Sequence, residues 1–202
     1  MGRYASEKSG GTFEQCPVGS HVAVCVELID LGVQHDEYQG KPNARQQVVI
    51  RWETSNEVME DGQPFLVSAF YTNSLGEKAN LRHLLEAWRG RSFTAEELLK
   101  FDLQAILGKS CLISVIHNEK GKAKVTGVMQ LPKGTPTPPV HNKPKAFWID
   151  EWDQAAFEAL PDFFKEKIQQ SDEYVEKFSN KQAGKPAQGG GSFDDLESDL
   201  PF

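Results

Sequence analysis

The apolar periodicity of this chain runs at two residues, switches to 3.6, and returns to two, and that order limits the folds open to it. His21 to Asp30 alternates, with Val22, Val24, Val26 and Leu28 on one side and His21, Ala23, Cys25 and Glu27 on the other. Such Val-rich alternation predicts a half-buried strand. Gly32 to Asn43 contains Gly40, Pro42 and Asn43 and reads as a loop. Arg45 to Thr54 alternates again, setting Val48, Ile50 and Trp52 against Arg45, Gln47, Val49 and Arg51. After the Asp61-Gly62 turn signal, Phe65 to Thr72 reads as a third strand, with Phe65, Val67, Ala69 and Tyr71 on one side. Between Glu77 and Arg89 the period lengthens: Leu81, Leu84, Leu85 and Trp88 recur at helical spacing, and Gly90 ends the stripe. Thr94-Ala95-Glu96-Glu97 has the form of a capping box opening a shorter helix to about Lys100, and Asp102 to Leu107 reads as one more helical turn. Cys111–His117 and Ala123–Leu131 then read as strands joined by the polar loop Asn118-Glu119-Lys120-Gly121-Lys122.

Three strands, a helical insert and a two-stranded hairpin are the sequence order of an OB-fold, a five-stranded Greek-key barrel with helices between strands 3 and 4. Another small barrel or an α+β sandwich would carry the same order, because periodicity does not say which strands pair. The expected organisation is a flexible arm over 1–17 and the OB-fold domain over 18–132. A Pro-rich extended linker over 133–146 follows, then an amphipathic helical extension over 147–178 folding back on the barrel, and a disordered tether and acidic tail over 179–202. In the extension Pro161 suits a helix start and Ser171 a helix cap.

Charge matters here mainly through its distribution. The chain of 202 residues carries a formal charge of −7, which by itself speaks against a partner rich in phosphate. Yet residues 1–147 hold 17 Lys+Arg against 16 Asp+Glu, while residues 148–202 hold 5 against 13. The acidity therefore lies in the C-terminal quarter, and the body is free to carry a basic face. Three widely spaced cysteines, Cys16, Cys25 and Cys111, suggest reduced thiols in a cytoplasmic compartment. The apolar runs are strand-length, and residues 1–8 lack an apolar leader segment, so neither a membrane span nor a signal peptide is expected.

Single-stranded nucleic acid requires cations for phosphates and aromatic faces for bases. The body interleaves both: Arg45 and Arg51 on the second strand, Phe70 and Tyr71 on the third, Lys78, Arg82, Arg89 and Arg91 around the helix, and Lys120, Lys122 and Lys124 on the last hairpin. Phe70 shares a face with Ser68 and Thr72 and is expected to point outward, whereas Tyr71 can go either way. Each member also has a bland explanation, since lysines at a hairpin tip are ordinarily just solvated. Trp52 and Trp88 fall on apolar stripes and are assigned to the core. Catalysis finds little support. The five histidines lie far apart, and no Cys or His pair has zinc-ligand spacing, so no metal is expected. No phosphate-cradling glycine loop occurs, and the protein reads as a non-enzyme without a cofactor.

The last residues give this body a context. Gly189-Gly190-Gly191-Ser192 precedes Asp194, Asp195, Leu196, Glu197 and Asp199, followed by Leu200-Pro201-Phe202. So little apolar content cannot offset ordering entropy, so the stretch reads as disordered. It resembles the acidic C-terminal tip of bacterial single-stranded DNA-binding proteins, and the body, with its longer helical insert, looks more like the OB-fold relatives encoded by bacteriophages. That resemblance implies a protein that coats single-stranded DNA in replication, recombination or repair, in a bacterial host's cytoplasm if phage-encoded. It also implies that the tip recruits replication and repair proteins by placing Phe202 in an apolar pocket, its carboxylate meeting a cation. A homo-oligomer is a further possibility. Residues 179–192 would give the tip a reach of about 20 Å. The competing reading is a protein-binding adaptor or inhibitor that mimics such a tip without binding DNA. It gains if Arg45, Arg51, Arg82, Arg89 and Arg91 pair internally with acids such as Glu53 and Glu86.

Overall fold

The computed structural model describes residues 14–38 and 40–178. In chain order the elements are β1 (Gly19–Tyr38), β2 (Lys41–Val58), β3 (Pro64–Thr72), α1 (Asn80–Arg89), α2 (Ala95–Leu99), a 3-10 turn (Leu103–Ile106), β4 (Ser110–His117), β5 (Ala123–Met129), β6 (Lys145–Phe147), α3 (Gln154–Glu158), α4 (Asp162–Gln169) and α5 (Asp172–Phe178). The fold is mainly β, an open six-stranded sheet with a few helices. Its strand order is β3-β2-β1-β4-β5, with β6 on β1. β1 and β4 pair antiparallel with His21 opposite Ile113 and Ala23 opposite Cys111. β4 and β5 form the antiparallel hairpin that the Asn118–Lys122 loop predicts, with an irregularity between Ser114 and Val115. β6 is parallel to β1, Ala146 facing Leu28.

The chain divides into two compact units, and the long strands contribute to both. The first comprises the described residues within 14–26, 51–69 and 84–144. Its buried side chains include Cys25, Trp52, Phe65, Leu85, Trp88, Ile113 and Val125. Trp52 and Trp88 sit in the core as their stripes require, ring centroids 6.1 Å apart, and the Trp88 indole donates to the Ser110 carbonyl at 3.0 Å. The capping box forms as expected, the Thr94 hydroxyl accepting from Glu97 N–H while Glu97 returns to Thr94 N–H. Asp102 caps the 3-10 turn through Gln104 N–H at 2.8 Å.

The second unit comprises the described residues within 27–50, 70–83 and 145–178. Here the C-terminal extension is helical, as its amphipathic pattern requires. Asp153 caps α3 through Ala155 and Ala156 N–H, and the Ser171 hydroxyl accepts from Tyr174 N–H at 3.2 Å. Phe147, Ile149, Phe157, Leu160, Phe164 and Ile168 close over Ile29, Leu31 and Val49. Burial of each such side chain contributes roughly 1.5–3 kcal/mol.

Four expectations need correction. β1 is buried on both faces from Ala23 to Leu31, where alternation alone implies one solvated side. In the second unit its odd-numbered face is covered by the extension. The stretch from Gly32 to Asn43 belongs largely to β1 and β2 and does not read out as a loop, since β1 runs to Tyr38 and β2 starts at Lys41. Gly32 takes φ +69° without ending the strand, its N–H accepted by Asp30 Oδ1 at 3.0 Å and that of Val33 by Glu173 Oε2 at 2.8 Å. The Pro-rich segment is anchored, not free: Glu53, 3% exposed, accepts from His141 N–H, Asn142 N–H and Asn142 Nδ2, and the segment ends in β6. Of the expected flexible arm, Glu14, Gln15 and Cys16 are tied down, bonded to Glu60, Ala123 and His117 respectively. Residues 1–13 and the tether and tail over 179–202 lie outside the described residues.

Candidate nucleic-acid interface

The sequence candidates divide between the two units. In the first, Arg51 is half-buried, its Nε donating to Ser68 Oγ at 3.2 Å across β2 and β3. Lys120 and Lys122 are exposed at the β4–β5 turn and Lys124 is half-buried on β5. The turn is rigidly built: Asn118 Oδ1 accepts from Lys120 N–H and Lys122 N–H, and Gly121 takes φ +72°.

Arg89 and Arg91 are drawn to one carboxylate. Arg91 forks onto Glu97 with bonds of 2.8 and 2.7 Å, and Arg89 Nη2 pairs with the same Oε1. The hydrogen bond from Arg91, then that from Thr94 N–H, holds the Glu97 carboxyl down at about 2. The two arginines differ in situation. Arg89, its side chain 16% exposed, lies 4.4 Å from the Phe93 ring centroid and 5.2 Å from that of Phe101, whereas Arg91 is 54% exposed. Arg89 therefore works as an internal staple between α1 and α2, and only Arg91 faces solvent.

In the second unit Arg45 pairs with Asp36 across the β1–β2 hairpin. Lys78 is exposed, Tyr71 is half-buried, and half-buried Arg82 directs Nη1 toward the Leu75 carbonyl. Phe70 corrects its expectation: it is half-buried, its ring 6.1 Å from both Phe163 and Phe164 of α4. β3 does turn that side chain away from the Phe65 and Val67 face, but the extension then covers it. Arg45, Arg89 and Arg91 thus engage acids, Asp36 for the first and Glu97 for the other two. The partner-binding candidates Asp194, Asp195, Leu196, Glu197, Asp199, Leu200, Pro201 and Phe202 lie outside the described residues.

Two features escape sequence reading. Phe163 emerges exposed on α4 while its neighbour Phe164 is buried, and spacing does not foretell this, since the adjacent pair Leu84-Leu85 of α1 is buried together. Glu53 turns out to hold the Pro-rich segment, for which no local pattern exists. Asp30, Asp150, Glu173, Glu176 and Lys177 border an open cleft of about 510 Å3. Burial pushes the Asp30 carboxyl above its ordinary range, with Glu173 and Asp150 adding to the effect. A cleft lined by so many carboxyls repels phosphate and does not serve as a nucleic-acid groove.

Among the described residues no group of three or more His, Cys, Asp or Glu is placed to hold a metal ion. Cys16, Cys25 and Cys111 are buried and not joined in a disulfide, and burial raises the Cys16 thiol to about 11. No helix among the described residues is long and apolar enough to cross a membrane. These features define a mainly β protein whose open sheet carries a helical insert and a helical extension. No family model matches the chain, and no curated protein matches it.

Proposed function

We propose that the protein binds single-stranded DNA without sequence specificity during replication, recombination or repair, and recruits partner proteins through its acidic Leu-Pro-Phe segment. The observation that carries this reading is the sheet order β3-β2-β1-β4-β5 with α1 and α2 between β3 and β4. An OB barrel written open between its third and fifth strands has that order. The exposed cations Lys78, Arg91, Lys120 and Lys122 supply phosphate contacts. Exposure decides which arginines join them. The pairing of Arg91 with Glu97 is screened by solvent, so a phosphate can take Arg91 from it. Arg89 is packed on two rings and stays structural.

A second reading is favoured by the same pairings. With Arg45, Arg89 and Arg91 each engaging a carboxylate, the body has fewer uncommitted cations than the sequence suggests, as an adaptor that presents the tip without binding DNA would. Anisotropy of labelled poly-dT, titrated with the full chain across NaCl concentrations, separates the two. Single-stranded DNA binding predicts an affinity that falls with salt, with a log–log slope of about −0.7 per phosphate contacted. No binding at low salt, or a flat slope, leaves the adaptor reading. Deleting Leu200–Phe202 is expected to abolish capture of partner proteins while leaving the DNA affinity intact or slightly raised.

A further inference from the structure

Among the aromatic side chains whose burial is described, Phe163 alone is exposed, at 46%. It is not needed to dock its helix. Phe164 and Ile168, one turn apart on α4, are buried in the second unit's core together with Leu160, and Phe163 points off that stripe. Its ring is nevertheless held in place. Phe70 meets it at 88° with centroids 6.1 Å apart, and Phe164 at 68° and 5.6 Å. One turn on, Lys167 Nζ lies 6.0 Å from the Phe163 centroid. A ring fixed on one side, open on the other and flanked by an ammonium group is the unit on which a base stacks while its phosphate is neutralised.

The size of the feature argues for a base over a protein surface. The other exposed positions of α4 are Asp162, Glu166 and Gln169, all polar, so the exposed apolar surface of α4 is one ring wide. A stable protein interface needs on the order of 800 Å2 from each partner, far beyond a single ring, whereas a nucleobase matches one. Of the local acids, Asp162 is engaged by Lys165 at 2.7 Å. We propose that Phe163 is a base-stacking contact for single-stranded DNA, with Lys167 meeting the neighbouring phosphate. The inference rests on the single-stranded DNA-binding reading above and moves the stacking role from Phe70, which α4 covers, to the ring that covers it.

The test uses the full chain and labelled poly-dT. Phe163→Ala is expected to weaken binding about 5- to 150-fold, the equivalent of one stacked base. Phe163→Tyr, which keeps the π face, is expected to bind within about twofold of wild type. Phe163→Leu keeps apolar packing on Phe70 and Phe164 without a π face; it is expected to melt close to wild type yet lose affinity as Ala does. Lys167→Gln is expected to reduce the salt slope by about 0.7. Wild-type affinity in the Leu variant overturns the stacking role while the DNA-binding reading stands. A wild-type chain that does not bind poly-dT removes that reading and this inference with it. A Leu variant that changes sedimentation mass but not DNA affinity makes the ring a protein contact and likewise overturns the proposal.

Discussion

Replacing Gly32 by alanine tests how the extension meets β1, because two separable costs arise there. The first is conformational: Gly32 sits at φ +69°, in the left-handed region, where a Cβ costs about 1–2 kcal/mol. The second is steric. A Cβ at Gly32 would lie 2.7 Å from Ser171 Cβ and 2.9 Å from Ile149 Cδ1, and would press on Glu173 Oε2. None of these gives way easily. Ser171 is 0% exposed and bonded through its hydroxyl to the Ile168 carbonyl, Ile149 is 2% exposed, and Glu173 is committed to Val33 N–H. Overpacking of this kind costs about 1–3 kcal/mol, so the total is about 2–5 kcal/mol. Gly40→Ala is the control within the same unit. Its φ is +73°, but the nearest heavy atom to a new Cβ is Glu37 Oε1 at 4.0 Å, so only the conformational cost applies. Urea unfolding of both variants gives the difference, expected at about 1–3 kcal/mol, and hydrogen exchange at Val33 N–H should quicken in Gly32→Ala alone. Equal destabilisation within about 0.5 kcal/mol would refute the close approach of Ser171 and Ile149 to β1.

Other consequences are open to measurement. Glu53→Gln keeps one acceptor but turns an amino group toward the donors of His141 and Asn142. A loss of about 1.5–3 kcal/mol and faster exchange at Asn142 N–H are expected, and an unchanged denaturation midpoint would count against the clamp. Glu97 titrates at about 2 against an ordinary 4.5, so its folded pKa is depressed. The stability it contributes is present above pH 4.5 and lost as pH falls toward 2. NMR titration should find the Glu97 carboxyl low in wild type and higher in Arg91→Ala; no upward shift would mean that Arg91 is not its main partner.

Much of the local architecture was legible because it depends on neighbours in sequence. Alternation placed Val48, Ile50 and Trp52 inward, helical spacing placed Leu85 and Trp88, and Thr94, Asp102 and Ser171 cap the turns that follow them. Candidate cations were legible only as residue types. Lys120 and Lys122 do stand exposed, but Arg45 finds Asp36 across a hairpin and Arg89 finds Glu97 across a helix break, pairings that no spacing rule anticipates.

The sequence by itself therefore determined the order of the first five strands and of the helical insert between the third and fourth, and the concentration of negative charge beyond residue 147. Tertiary structure decided which of the remaining faces stay open. Gly32 and Phe70 look like a loop and an outward ring until the extension, more than 70 residues further along the chain, packs on them. Covering the second side of a strand is a long-range event: its gain is apolar area buried between distant segments, and periodicity within either segment carries no record of it. For the same reason α4, and not β3, presents the exposed ring.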